Sequence, residues 1–81
     1  DTKQFEIKLY PNPVKDEFTL EIGESNRGLF EIYNINGQLI KTIRYNEGIN
    51  TFNVSDLRPG LYFIPIHPGN GFTTLKLLKM E

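Results

Sequence analysis

The sequence contains no cysteine and no tryptophan, and only one histidine and one methionine among its 81 residues. Without cysteine, the chain cannot form a disulfide framework, use a thiol nucleophile or hold a cysteine-ligated zinc ion. Its apolar runs are only a few residues long, so we expect no direct membrane insertion. The formal net charge of −1 includes no basic surplus, so we expect no nucleic-acid partner.

Residues suited to catalysis or metal binding are equally scarce. His67 lies in a turn with no second base or nucleophile near it in the sequence. The carboxylates of Asp16, Glu17, Glu24 and Asp56 are scattered, and no cluster has the spacing of metal ligands. The glycine-rich loops are not followed by a helix, so they do not indicate a phosphate site. We therefore expect no enzyme, no cofactor and no metal.

Short segments of alternating apolar and polar residues do recur along the chain. Turn signals separate them at intervals of about eight to twelve residues, which is typical of an antiparallel sandwich. The sequence therefore predicts one domain, residues 1–81, with an all-β fold: a seven-stranded antiparallel immunoglobulin/fibronectin-like β-sandwich. The predicted strands cover residues 5–9, 17–22, 29–35, 38–45, 49–54, 61–66 and 72–79. Alternation places one set of apolar residues on the inward face in each of three strands: Phe5, Ile7 and Leu9; Phe18, Leu20 and Ile22; and Tyr62, Ile64 and Ile66.

The clearest hairpin turns at Gly37, which needs a positive φ. A two-residue turn would place Ile32 opposite Lys41. A three-residue loop, with Gly37 left-handed in a bulge, would instead place Ile32 opposite Ile40 and Glu31 opposite Lys41. We predict the second register because it pairs apolar with apolar residues and forms a cross-strand ion pair.

This register has a consequence for the outer face of the hairpin. Four apolar residues fall on that face, where they are either covered by the chain ends or exposed as a patch for a partner. They are Leu29, Tyr33, Leu39 and Ile43.

Residues 57–62, with a Pro-Gly turn before Tyr62, are typical of a tyrosine corner. In such a corner the ring packs inward and the hydroxyl bonds a backbone group a few residues upstream. Pro65 lies in the same strand and lacks a backbone donor. Either pairing on one side of this strand stops near Phe63, or a bulge lies there.

The last predicted strand has two mixed faces. One carries Phe72, Thr74, Lys76 and Leu78, and the other carries Thr73, Leu75, Leu77 and Lys79. The lysines either protect an ordinary sheet edge or take part in recognition.

Four motifs occur in a fixed order: "YPNPVKDEFTL", "IYNINGQLI", "VSDLRPGLYFI" and, near the chain end, "TTLKLLK". From about Leu9 to Lys79 the chain resembles the type A C-terminal sorting domain of type IX secretion (Por secretion) in Bacteroidetes. The resemblance implies that Pro11, Asn12 and Pro13 match the first motif, Gly37 the hairpin, and Gly60 with Tyr62 the corner. It implies translocon recognition by Thr73, Thr74, Lys76, Leu77, Leu78 and Lys79. Leu75 and Pro65 depart from the usual pattern.

The resemblance also implies a function. We expect a non-catalytic address excised from a longer secreted protein, whose N-terminal cargo passes the periplasm and reaches the cell surface or the medium. The implied partners are the type IX outer-membrane translocon and a surface sortase-like peptidase. An address must stay accessible, so we expect an unpaired edge on the last strand. Two copies of the chain could also exchange this strand and form a strand-swapped dimer. The alternative is a fibronectin-like accessory domain that binds carbohydrate or protein.

Overall fold

A computed structural model describes residues 7–22, 28–66 and 73–81. These residues form seven strands in two antiparallel sheets, ordered β1-β2-β5 and β4-β3-β6-β7. The all-β sandwich is therefore confirmed, while the immunoglobulin/fibronectin-like subclass stays a prediction. Predictions that concern Phe5, Glu24, His67 and Phe72 lie outside the described residues. The strands are Ile7–Tyr10 (β1), Glu17–Ile22 (β2), Gly28–Tyr33 (β3), Leu39–Tyr45 (β4), Gly48–Asn53 (β5), Gly60–Ile66 (β6) and Thr73–Lys79 (β7).

The core lies between the two sheets because alternate side chains of each strand point to one face. The inward residues predicted for β2 and β6 are all buried. Phe52 of β5 joins the sheets, with its ring 5.4 Å from Phe18 in its own sheet and 5.3 Å from Phe30 in the opposite sheet. The confirmed inward set is Phe18, Leu20, Ile22, Tyr62, Ile64 and Ile66.

The tyrosine corner is confirmed. Tyr62 is buried, and its hydroxyl donates a hydrogen bond of 2.7 Å to the carbonyl oxygen of Arg58. The bond satisfies a polar atom that would otherwise lie in the core without a partner. It also ties the start of β6 to the turn before it.

The hairpin loop has the predicted three residues between Asn34 and Gln38. The Asn34 N–H donates to the Gln38 carbonyl at 3.0 Å, and Gly37 has a φ of 81°. The Asn34 side chain accepts hydrogen bonds from the backbone N–H groups of Asn36 and Gln38. These bonds hold the loop in its turn conformation, and Tyr33 pairs with Leu39 directly beyond it.

The predicted register beyond the loop is wrong. The pairing shifts between Ile32 and Tyr33, and Ile40 is the additional residue. Ile32 therefore lies opposite Lys41, and Glu31 lies opposite Thr42 rather than forming the expected ion pair. The extra residue at Ile40 is a second irregularity, after the left-handed Gly37, and the local sequence pattern does not predict it. Because it shifts the pairing by one residue, the side chains of β4 that were expected on one face of the sheet lie on the other.

The shift explains which residues of β4 join the core. Ile43 lies opposite Phe30 and packs against the core, so its predicted place on the outer face is wrong. The Tyr45 ring also turns inward, 5.9 Å from the Phe30 ring. Leu29 and Leu39 are exposed, and Tyr33 is half-buried.

Pro65 lies where pairing stops on one side of β6. Within the described residues, β6 pairs with β3 only at Tyr33 and Phe63, whereas its pairing with β7 continues through Pro65 and Thr74. The first of the two alternatives is therefore the observed one. A proline needs no donor on the side where the ladder has ended.

Candidate recognition surface

The terminal strand β7 is the last strand of the four-stranded sheet and pairs with β6 along its whole length. Its two faces alternate as predicted. Leu77 is fully buried in the core, while Thr74 and Lys76 on the other face are exposed. The motif residues of this strand therefore divide into a core-facing set and an outward-facing set.

The outer edge of β7 is partly occupied, which corrects the expectation of an unpaired edge. The side-chain amide of Asn12 donates to the Lys76 carbonyl at 2.7 Å and accepts from the Leu78 N–H at 3.0 Å. Next to it, the Val14 N–H donates to the Leu78 carbonyl and the Met80 N–H donates to the Val14 carbonyl, each at 2.7 Å. Asn12 and Val14 thus act as a short additional strand beside β7.

In the first half of this edge, the outward backbone groups have no partner among the described residues. Backbone groups of a strand point alternately to its two sides, so Thr74 points its N–H and carbonyl, and Lys76 its N–H, to the same side as Leu78. No described segment bonds these three groups. Thr73–Lys76 is therefore the stretch where the described structure leaves room for a further strand.

The outward face of β6 and β7 beside this stretch is mostly apolar and carries one positive charge, that of Lys76. Thr74, Lys76 and Leu78 lie opposite Pro65, Phe63 and Leu61 of β6, respectively. The three β6 residues are half-buried, whereas Leu78 is 43% exposed. Together, Leu61, Phe63, Pro65, Thr74, Lys76 and Leu78 form a surface that we call the β6–β7 outer face.

Lys79, by contrast, is only 6% exposed, and its ammonium donates to the Met80 carbonyl at 2.7 Å. Its side chain lies on the core-facing side of β7, near Asp56. Lys41 binds the same carboxylate, with its Nζ at 3.0 and 3.1 Å from the two oxygens. The Lys41 hydrogen bonds are the main cause of a lowered pKa of Asp56, and the charge of Lys79 adds to the effect.

The fold joins three of the four sequence motifs. Asn12 of the first motif bonds β7, and Gly60 of the corner motif lies opposite Lys79. The hairpin glycine, Gly37, lies at the β3–β4 turn, and β6 separates that hairpin from β7 in the sheet. Pro11 and Pro13 are exposed on either side of Asn12.

The sequence pattern indicated Asn12 but not its contact with β7. Lys76 and Leu78 lie 64 and 66 positions after Asn12 in the chain, and no local pattern predicts bonds over such a separation. The sequence pattern also did not indicate the ion pair of Lys41 with Asp56. The only signal for the first contact was an asparagine held between two prolines, a place where it cannot belong to a regular strand interior.

The family of this chain follows from a comparison of its sequence with models of known families. A family model described as the secretion system C-terminal sorting domain matches residues 8–80. The chain belongs to this family. The resemblance to the sorting domain of type IX secretion is thereby confirmed. No curated protein matches the chain.

A sorting domain is a C-terminal secretion signal: it is attached to an N-terminal cargo, interacts with the secretion machinery, and marks its protein for export. Such domains are in general non-catalytic. The match does not favour the alternative of a fibronectin-like binding module.

Two further findings concern the described residues. In 7–22, 28–66 and 73–81, no helix has the length and apolarity that a membrane crossing requires. In the same ranges, no three His, Cys, Asp or Glu residues are grouped as they would be to hold a metal ion.

Proposed function

We propose that the outer-membrane translocon of type IX secretion recognises this sorting domain through the first half of the β7 edge and the β6–β7 outer face. The cargo would first cross the inner membrane by a separate N-terminal signal and pass the periplasm. A sortase-like surface peptidase would then remove the domain by cutting upstream of the sandwich.

The observation that carries this proposal is that no segment within 7–22, 28–66 and 73–81 bonds the outward backbone groups of Thr74 or the Lys76 N–H. Unpaired backbone groups at a sheet edge can bond an extended segment of another protein, and side chains beside them can select it. Thr74 offers a donor and an acceptor, and Lys76 a donor, within the terminal motif.

The β6–β7 outer face would supply selectivity. Phe63 and Leu61 provide apolar contact area, and the exposed Lys76 provides a positive charge beside the open edge. A cation in this place would increase the encounter rate with an acidic partner surface. Thr74, Lys76 and Leu78 would make direct contacts, whereas Thr73 would border the open edge and Leu77 and the buried Lys79 would hold β7 in place.

The side-chain part can be tested in a host that has type IX secretion. Residues 1–81 are fused to the C-terminus of an unrelated periplasmic reporter, and the reporter outside the outer membrane is measured. We expect Lys76→Glu to lower export by at least about tenfold, because it reverses the charge that attracts the partner. Arg44→Glu makes the same change on β4 at the far edge of the sheet and should export normally. Equal export by the two variants would reject a role for Lys76.

The backbone part needs a separate variant. Thr74→Pro removes an N–H that points away from β6, so the ladder between β6 and β7 keeps its bonds. We expect this variant to fold and to lose export, while Thr74→Ala, which keeps the N–H, exports normally. If Thr74→Pro is folded and exported like Thr74→Ala, strand addition at this edge is excluded.

Removal of the domain has its own readout. The mass of the reporter recovered outside the cell shows whether the 81 residues have been cut off. We expect the released reporter to lack them and the periplasmic precursor to retain them. A released reporter of full length would contradict the peptidase step and leave the export tests unaffected.

Strand exchange between copies is the remaining proposal about partners. A β7 strand supplied by a second copy could recover the same bonds to β6 and to Asn12. Size-exclusion chromatography after refolding at high protein concentration should then show a dimer that persists on dilution. A sample that remains monomeric after this treatment would reject the exchange.

A further inference from the structure

Asn12 takes a place in the sheet that normally belongs to a peptide group. Its Nδ2 donates to the Lys76 carbonyl and its Oδ1 accepts from the Leu78 N–H. These are the two bonds that a neighbouring strand would make at this point of the β7 edge. An asparagine amide has the same donor and acceptor as a backbone peptide, so one side chain can replace one unit of a strand.

The backbone of Val14 continues this replacement. It bonds the Leu78 carbonyl and the Met80 N–H, and the Val14 side chain is fully buried in the core. Burial fixes the segment against β7. The four outward backbone groups from the Lys76 carbonyl to the Met80 N–H are therefore all bonded within the chain.

An open edge of this length would be exposed to pairing with an identical edge. Unpaired strand edges are templates for association with further copies, and proteins block them by covering the edge or by adding charge. Here the exposed Leu78 and Met80 lie beside the covered half, and both would favour association if the edge were open.

We propose that Asn12 is an edge guard, which prevents a second copy of the chain from pairing with β7 between Lys76 and Leu78. The guard ends the open edge at Lys76, so Thr73–Lys76 is the stretch left for a partner. This role concerns self-association of the isolated domain and is independent of whether the translocon uses the edge.

The test compares the monomer fraction of the unaltered chain with that of Asn12→Leu. Leucine has a similar size but can form neither the bond to the Lys76 carbonyl nor the bond from the Leu78 N–H. We expect amide hydrogen exchange at Leu78 to increase by at least about tenfold, because its N–H loses its acceptor. The Leu77 N–H points to β6 and serves as the internal reference. Sedimentation of protein that has not been refolded at high concentration, measured from micromolar to millimolar, should show a dimer for Asn12→Leu and a monomer for the unaltered chain.

A second variant shows whether the dimer uses this edge. In Asn12→Leu/Leu78→Pro, the N–H that became free is removed, and no bond to β6 is lost. We expect this double variant to return to the monomer. Asn36→Leu adds the same apolar side chain in the exposed hairpin loop and should also be monomeric.

Each other outcome overturns the proposal. An Asn12→Leu protein that stays monomeric, or whose Leu78 amide remains protected, shows that Asn12 does not close the edge. A dimer that persists in the double variant uses another surface. If Asn12→Leu does not fold, Asn12→Asp takes its place: it keeps the acceptor for Leu78 and loses the donor to Lys76, so it should form a weaker dimer.

Discussion

At the scale of single residues, Tyr62 shows how this small core accommodates a polar atom. The phenol is buried and its hydroxyl reaches the Arg58 carbonyl at 2.7 Å, so the ring can pack against apolar neighbours without an unsatisfied donor. Both the inward direction of the ring and the acceptor four residues upstream follow from the local sequence, which is why the corner was predictable.

Replacing Tyr62 with Phe should therefore lower the free energy of unfolding by about 1 kcal/mol, the net value of one hydrogen bond, plus the cost of leaving the Arg58 carbonyl without this donor. Urea denaturation measures the change. Tyr33→Phe is the matched control: its hydroxyl donates to the exposed Glu31 carboxylate at 2.5 Å, where water can replace it. Equal unfolding midpoints for Tyr62→Phe and the unaltered chain would contradict the role of the corner.

The Lys41–Asp56 pair predicts a dependence of stability on pH. Hydrogen bonds from the Lys41 ammonium lower the pKa of Asp56 in the folded state. A group with a lowered folded pKa stabilises the fold above its unfolded pKa, about 3.9 for Asp, and this contribution is lost as the pH falls through the folded value.

In Lys41→Met, we expect the pKa of Asp56 to rise towards its ordinary value, as measured by NMR titration of the carboxyl carbon. The difference in stability between this variant and the unaltered chain should disappear at acidic pH, once Asp56 is protonated in both. Lys8→Met removes a lysine from β1 and should leave the Asp56 titration unchanged. An Asp56 pKa that does not respond to Lys41→Met would contradict the assignment.

At the scale of elements, the β3–β4 hairpin separates what a turn determines from what packing determines. The Asn34 side chain and the positive φ of Gly37 define the loop, and both are local properties. The bulge at Ile40, by contrast, does not follow from the local sequence. It places both Tyr45 and Ile43 towards the core, where the Tyr45 ring is buried and the half-buried Ile43 packs against the core residues.

Gly37→Ala should lower the free energy of unfolding by about 1 to 2 kcal/mol, because an alanine at positive φ brings its Cβ against the backbone. Apart from Gly37 itself and its two chain neighbours, no residue has an atom within 4 Å of a Cβ built at Gly37, so the cost arises from local backbone strain alone. Gly28→Ala is the matched control, since its Cβ would meet only ordinary contacts with Tyr45, at 3.5 Å and beyond. Thermal unfolding distinguishes the two; a Gly37→Ala protein as stable as Gly28→Ala would contradict the strained turn.

At the scale of the whole molecule, β7 has two roles that a simple truncation cannot separate. It presents the exposed Lys76 and Leu78, and it also supplies the fully buried Leu77 and the hydrogen bonds to Val14. Removing the end of the chain therefore removes part of the core together with the signal.

We expect deletion of residues 77–81 to abolish cooperative unfolding, because losing Leu77 alone should cost about 2 to 5 kcal/mol, a large part of the stability of a domain of this size. Circular dichroism during heating measures this. Deletion of the exposed Glu81 alone should leave the transition in place. A shortened chain that still unfolds cooperatively would show that β7 is not part of the folded core, and export assays on truncations could then be interpreted directly.

The strand pattern, the inward residues of β2 and β6, the corner at Tyr62 and the family could all be predicted before folding was considered, because alternation, turn chemistry and ordered motifs are properties of neighbouring residues. The register of β4, the burial of Lys79 and the closure of half the β7 edge by Asn12 and Val14 became visible in the folded chain alone. Each of these depends on which distant groups meet when two sheets pack, and the Asn12 bonds cross nearly the whole chain, over 64 and 66 positions.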